Sequence, residues 1–236
     1  MNNLHFIIKP FALFAVFTSC LIGLIFESGC KKDDQKPAYG TPVLDIEGNS
    51  YQTVIIGNQV WMAENLMTSK YNDGTDISFI TETDDWKAMT EGGFCWYENS
   101  ELNKNVYGCL YNWYAVETGK LCPAGWHVPS YGEWNALIGE LNEDEKPASH
   151  LKEAGTEHWA SPNNASNSTG FTALPGGSRY GADGVFGNIT KYGNWWSSSL
   201  NSTDMAWHIT MDNFFDDCRL NSAYILCGMS VRCIKN

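Results

Sequence analysis

The chain has 236 residues, of which 43% are hydrophobic and 14% aromatic, and it carries a formal net charge of −12. That balance excludes a nucleic-acid partner, which needs clustered lysine and arginine; the basic residues here are scattered. A high aromatic share with short aliphatic runs argues against a doubly wound parallel sheet and for small sheets held by aromatic anchors.

Residues 1–29 read as an export signal. Lys9 is followed by an apolar stretch over residues 11–26, then by small residues leading into Cys30. The stretch ends at Glu27, short of the roughly 20 apolar residues and cationic flanks of a membrane span. Ser28-Gly29-Cys30 has the layout of a lipoprotein cleavage box, although Glu27 stands where an aliphatic residue is usual. Cys20 competes, but cleavage there leaves an apolar "LIGLIF" at the new N-terminus, so lipidation is assigned to Cys30. More than one acyl chain there provides stable membrane attachment. Residues 30–43, polar and carrying Pro37 and Pro42, are expected to be a lipidated tether, with the domain proper over 44–236.

Of the eight cysteines, Cys20 leaves with the signal and Cys30 takes the lipid, which leaves Cys95, Cys109, Cys122, Cys218, Cys227 and Cys233. An even set in an exported chain reads as disulfides. None forms CxxC or lies at zinc spacing from a histidine, so no metal centre is expected from them.

From Leu44, "VLDIEGNSYQTVIIGNQVWMAENL" reads as strand, turn, strand, turn and short helix, with Gly48 and Gly57 in the turns and period-two alternation in "SYQTVII". "FCWYENSELNKNVYGCLYNWYAVETG" mixes a strand with the start of a buried helix. Ser130 and Glu133 form a capping box ahead of Trp134, Leu137, Ile138 and Leu141 at helical spacing. A second helix is expected over 147–154. From Ser161 the composition turns to Gly, Asn and Ser between short aromatic strands. There is no internal repeat. The fold class is α+β: small antiparallel sheets, two short helices and a long loop region.

Six ordered stretches then carry a resemblance: "DIEGNSYQTVIIGNQVWMAENLMTSKYNDGTDI", "YGCLYNWYAV", "CPAGWHVPSYGEW", "ALPGGSRY", "YGNWWSSS" and "GMSVRC". Together they resemble the successive signatures of the Fibrobacter succinogenes major paralogous domain family, over almost all of the mature chain. The resemblance implies a C-type lectin-like fold, shared with formylglycine-generating enzymes and with variable ligand binders, in which both ends of the domain meet in one sheet. It also implies an exported, lipid-anchored protein. "KKDDQ" at Lys31 to Gln35 resembles the signal that sends Bacteroidetes lipoproteins to the outer face of the outer membrane. By the family pattern, Cys122 pairs with Cys233. Cys95–Cys109 and Cys218–Cys227 then follow as local pairs, the latter across an expected turn.

Candidate ligand-binding residues lie between about Ser161 and Tyr224: Trp159, Tyr180, Trp195, Trp196, Trp207, Phe214 and Phe215. Aromatic anchors among adaptable polar residues are what recognition loops use. Adjacent strand residues face opposite sides, so one of Trp195 and Trp196 is expected in the core and the other under a loop or on a ligand-facing surface. At least two further aromatics are expected partly exposed around a shared concavity. His127 and His208, each after a tryptophan, read as structural hydrogen-bonding groups rather than catalysts. Asp212, Asp216 and Asp217 supply oxygens suited to calcium, without the spacing of an EF-hand. The glycines of "GGSRYGADGVFG" read as turn formers rather than a phosphate loop. Sequons at Asn164, Asn167, Asn188 and Asn201 carry no weight in a bacterial lipoprotein.

The expected function is a non-enzymatic ligand-binding or adhesion module at the cell surface, its partner an extracellular glycan or protein. The alternative is an enzyme related to the formylglycine-generating oxidases, for which Cys218 and Cys227 would have to act as a redox pair.

Overall fold

The structure is a computed structural model that describes Met1 and residues 36–236; the expected lipidation site Cys30, its competitor Cys20 and the Lys31–Gln35 motif lie outside the described residues. In chain order, β1 (Ala38–Leu44), β2 (Ser50–Ile56) and β3 (Gln59–Met62) come first, followed by β4 (Ser78–Phe79), α1 (Thr83–Lys87) and β5 (Gly93–Cys95). Next are α2 (Glu101–Tyr107), β6 (Leu110–Tyr111), α3 (Trp113–Glu117), β7 (Trp126–His127), α4 (Tyr131–Glu140) and α5 (Pro147–Leu151). The last third holds β8 (Ser178–Arg179), β9 (Phe186–Gly187), β10 (Tyr192–Leu200), β11 (Met205–Asp212), β12 (Arg219–Tyr224) and β13 (Ile234–Lys235). This is an α+β fold of small sheets, all antiparallel except for the β4–β5 pair.

The first three strands and the last share one five-stranded sheet, in the order β1-β2-β3-β13-β7. Cys122 and Cys233 are bonded, with Cα atoms 6.0 Å apart and a sequence separation of 111. The bond ties the segment before β7 to the approach of β13.

Two expectations are corrected at the N-terminal side. Residues 38–43 are not tether, because β1 pairs along β2 from Ala38↔Ile55 to Leu44↔Ser50. The register shifts between Gly40 and Val43, so Pro42 sits in an irregularity where its missing N–H costs no ladder bond. Without β1, β2 would be an open edge. Among the described residues there are also five α-helices rather than two. The additional three span only five to seven residues each, too short for apolar periodicity to register.

Helix α4 starts where the sequence places it. The Ser130 side chain accepts from the Glu133 N–H, the Glu133 carboxylate accepts from the Ser130 N–H, and Trp134 and Leu137 are buried. Helix α5 stops at Leu151 because Lys152 is extended and bridges to Ala173.

The β10-β11-β12 sheet is the centre of the molecule. Trp195 joins a core with Trp61, Trp134, Trp159 and Phe171, whereas Trp196 joins a separate core with Tyr111, Trp113 and the Cys122–Cys233 bond. Helix α4 thus covers one face of β10 and α3 the other. Both tryptophans are fully buried, which overturns the alternative of a ligand-facing surface for one of them: the strand has a core on each side. Their indole N–H groups are satisfied, Trp195 donating to Asn65 Oδ1 at 2.7 Å and Trp196 to the Tyr111 carbonyl at 2.8 Å. The glycine before them has a packing reason. A Cβ on Gly193 would stand 2.2 Å from the Trp195 ring, which folds back over it.

Candidate functional site

The polar end of this central sheet holds a cavity of about 290 Å³. Alternation along the strands puts Asn194 and Trp196 on the same face of β10, and His208 and Thr210 on the matching face of β11, with Asn194↔Thr210 and Trp196↔His208 directly paired. Ala223 of β12 lines the same cavity. Ser178, Tyr180 and Asn188, around the β8–β9 hairpin, and Cys227 and Met229 complete the wall with Tyr192.

Backbone pairing holds the hairpin and the 227–230 segment beside the sheet. Gly177 N–H donates to the Tyr192 carbonyl at 2.9 Å, Arg179 and Gly228 exchange both bonds, and Ser230 N–H donates to the Asn194 carbonyl at 3.1 Å. Gly177 has φ +65°, and a Cβ there would stand 2.5 Å from the Gly187 carbonyl oxygen, so no other residue fits the crossing. Arg179, fully buried, donates to the carbonyls of Gly184, Ile80 and Thr81 and stacks over Trp86 and Phe186. It clamps the hairpin to the 80–81 loop.

Inside the cavity most polar groups bond to each other. Asn194 Nδ2 donates to Ser178 Oγ at 3.0 Å, Thr210 Oγ1 donates to Asn194 Oδ1 at 2.9 Å, and Ser178 Oγ donates to the Gly177 carbonyl at 2.8 Å. At the mouth, the half-exposed Tyr180 hydroxyl accepts from Asn188 Nδ2 at 2.8 Å. His208 is the exception. Only 7% exposed, with its ring edge-on to Trp196 at 6.1 Å, it has no partner at Nδ1. Buried polar atoms are nearly always hydrogen-bonded, so this unpaired nitrogen stands out among the residues that line the cavity. Burial pushes the His208 pKa down to about 4, and the imidazole is neutral at ordinary pH. The expectation of a structural hydrogen-bonding role fails for His208. It holds for His127, whose Nε2 meets Glu133 Oε1 at 2.8 Å and whose Nδ1 meets Asn236 Oδ1 at 2.6 Å.

The seven aromatic candidates do not gather. Trp159, Trp195 and Trp196 are core, Trp207 stacks on Tyr131 at 4.8 Å, and Phe214 and Phe215 are exposed on the β11–β12 connection. Only Tyr180 lines the cavity, although eight of its ten lining residues fall between Ser161 and Tyr224 as anticipated. Ser178, Tyr192, Asn194, Thr210, Ala223 and Met229 were not singled out by sequence, and Asn188 and Cys227 only as a sequon and a disulfide partner. The available signal was polar residues at alternate positions of two otherwise apolar strands.

The remaining cysteine pairs are corrected as well: Cys95, Cys109, Cys218 and Cys227 are free thiols. Cys95 pairs across the ladder with Leu110 and shares its core, whereas Cys109, the next residue, turns to the opposite core. Cys218 and Cys227 flank β12, whose six residues span about 20 Å when extended, and a disulfide needs Cα atoms within about 7 Å. Burial pushes the Cys95 and Cys109 thiols up to about 12.

The acidic run considered for calcium is engaged by cations. Arg219 bonds Asp212, and also Asp217 at 3.0 Å, while the buried Lys152 reaches Asp216 at 3.3 Å. Asp212 Oδ1 also accepts from the Phe214 and Phe215 N–H groups, both at 2.8 Å. Among the described residues, Glu153, Glu157 and His158 bring three ligand atoms within 4.8 Å of one another, with His158 Nδ1 already 2.8 Å from Glu153. No helix of the described residues is long and apolar enough to cross a membrane.

The family model described as the Fibrobacter succinogenes major domain matches residues 54–235 of the chain. Comparison with curated proteins and with solved structures finds no match.

Proposed function

The chain belongs to the Fibrobacter succinogenes major domain family, and from that premise we propose that it is a non-enzymatic ligand-binding or adhesion module on a lectin-like scaffold, held by lipid on the outer face of the outer membrane. The observation that carries the binding role is the cavity, whose lining combines hydrogen-bonding side chains with apolar surface and includes the buried His208. Pre-formed concave sites with a few convergent polar groups are the usual form of small-molecule sites. The anchoring role rests on Ser28-Gly29-Cys30 and the Lys31–Gln35 motif. A thiol–disulfide enzyme would need Cys218 and Cys227 together, and a whole strand separates them.

The test is in two parts. Purified protein on glycan and protein arrays should capture a defined ligand, and protease added to intact cells should remove the protein. No capture on either array sinks the binding role; Cys30→Ala protein that remains acylated and membrane-bound sinks the anchor.

A further inference from the structure

The surface that the cavity offers narrows the ligand, a step that rests on the binding role above. We propose that the cavity takes one uncharged, flat aromatic group, a single or fused ring in size, held against the rings of Tyr180 and Tyr192 and the side chains of Met229 and Ala223.

Charge is excluded first. No side chain lining the cavity is formally charged at neutral pH, and burial keeps the His208 imidazole neutral. A charged ligand would give up water there without meeting a counter-charge, which is strongly unfavourable. A hydroxyl-rich ligand fares little better, because the buried polar side chains of the wall are turned towards one another. Asn194 bonds to both Ser178 and Thr210, and His208 Nδ1 is sealed from solvent. Hydroxyls entering here would lose bonds to water and gain few in exchange.

The surface left for a ligand is apolar. Tyr192 stands on the same face of β10 as Asn194 and Trp196, and Ala223, paired across β11 with Ala206, leaves room beside it. The Tyr180 ring is braced at the mouth. It lies against the Gly187 backbone, where a Cβ would stand 2.9 Å from it, and its hydroxyl accepts from Asn188 Nδ2. A ring fixed before binding costs little ordering. Fixed aromatic faces prefer a second ring, stacked or edge-on, and a thioether such as that of Met229 pairs favourably with ring edges. An apolar cavity of roughly 150 Å³ holds benzene. The 290 Å³ here therefore suits a fused ring such as indole, whether free or carried as a side chain by a protein partner.

The full-length protein in detergent micelles, isotope-labelled at its methionine methyl groups, is titrated with indole, N-acetyltryptophanamide, the anion indoleacetate and the sugar N-acetylglucosamine. The Met229 methyl signal is assigned with Met229→Leu, a volume-conserving change. Indole should give saturable shifts of that signal, with cross-relaxation between its ring protons and the methyl, which partition into the micelle does not produce. Indoleacetate and N-acetylglucosamine should give neither. Ala223→Leu, at a partly exposed position in the lining, fills the cavity and should abolish the shifts. Tyr180→Ala, at a half-exposed position that does not threaten folding, should raise the indole Kd about two- to tenfold, the strength of one aromatic pair. It decides the matter if Ala223→Leu fails to fold. Binding of N-acetyltryptophanamide as well shows that the mouth admits a ring carried on a peptide, and indole alone points to a free compound; either result upholds the ring. Binding of indoleacetate or N-acetylglucosamine as tight as that of indole overturns the inference and leaves the binding role standing. So does a folded Ala223→Leu protein, or a Tyr180→Ala protein, that binds indole like wild type. Silence of both neutral ring probes while an array captures a ligand does the same, whereas silence of all four probes and both arrays overturns the binding role itself.

Discussion

Trp126–His127 and Trp207–His208 are the same pair of side chains placed on two different sheets, and they end in opposite states. On β7, at the edge of the five-stranded sheet, His127 has both ring nitrogens engaged and ties the start of α4 to the C-terminal residue. On β11, the middle strand of the central sheet, His208 is buried beside Trp196 with Nδ1 unbonded. The difference lies in what covers each strand. An edge strand lets its histidine find a carboxylate and an amide at the surface. A middle strand with a layer on each face encloses its histidine, and here the layer over it is the β8–β9 hairpin, which leaves a cavity rather than a contact. One region is closed by hydrogen bonding and a disulfide; the other is closed by packing and keeps a cavity lined by both polar and apolar side chains.

Removing the covalent closure is expected to have the largest effect on this contrast. Replacing Cys122 and Cys233 together by alanine opens a loop with a sequence separation of 111 residues, for which chain entropy gives about 4–5 kcal/mol at most. The urea midpoint should fall accordingly, and amide exchange should rise first in β7 and β13 rather than in β10. A loss below about 1 kcal/mol, small against that entropy figure, would mean that packing alone holds the five-stranded sheet. Without reduction, only Cys122 and Cys233 of the six cysteines between Cys95 and Cys233 should resist alkylation in denaturant.

The tryptophans test whether the central sheet has two equivalent cores. Trp195→Ala and Trp196→Ala should each cost about 3–5 kcal/mol by equilibrium unfolding, because each ring is fully buried on its own side. If Trp196→Ala is tolerated while Trp195→Ala is not, the cavity side of the sheet is not a core.

The smallest of the three effects belongs to pH. The His208 pKa is lowered from 6.5 to about 4 by burial alone, so between those values the unfolded chain binds the extra proton. Stability is therefore fully present above about pH 6.5 and is lost as pH falls towards 4, by about 3 kcal/mol in all. Thermal unfolding from pH 7 to 4.5 in wild type and in His208→Gln measures this, and the variant should show a flatter profile. Identical profiles would mean that the imidazole is solvated.

Some elements of this molecule could be read before any folding. The capping box at Ser130 and Glu133 is local chemistry, and α4 begins there. The period-two run of β2 and its turn at Gly57 gave the hairpin, and the ordered motifs gave the family and the Cys122–Cys233 bond. Helices α1 and α2 escaped because five to seven residues carry no usable period, and α3 was legible only as the start of a buried helix. The thiol pairs Cys95–Cys109 and Cys218–Cys227 were misread because sequence distance says nothing about which face a side chain takes or whether the residues between them turn or extend.

The sequence by itself determined that this is an acidic, aromatic-rich α+β chain, with one capped helix and a Gly-, Asn- and Ser-rich second half that contains most of the cavity wall. These properties follow from composition and from interactions within a few residues. Only the tertiary structure decided that Trp195 and Trp196 both lie in cores, that Asn194, Ser178 and Thr210 form one network, and that His208 is left without a partner. Those outcomes depend on which distant segment covers each face of a strand: α3 and α4 on either side of β10, and the β8–β9 hairpin over the polar end of β11. Burial is a property of the covering layer as much as of the residue covered, and a strand does not encode what will lie across it.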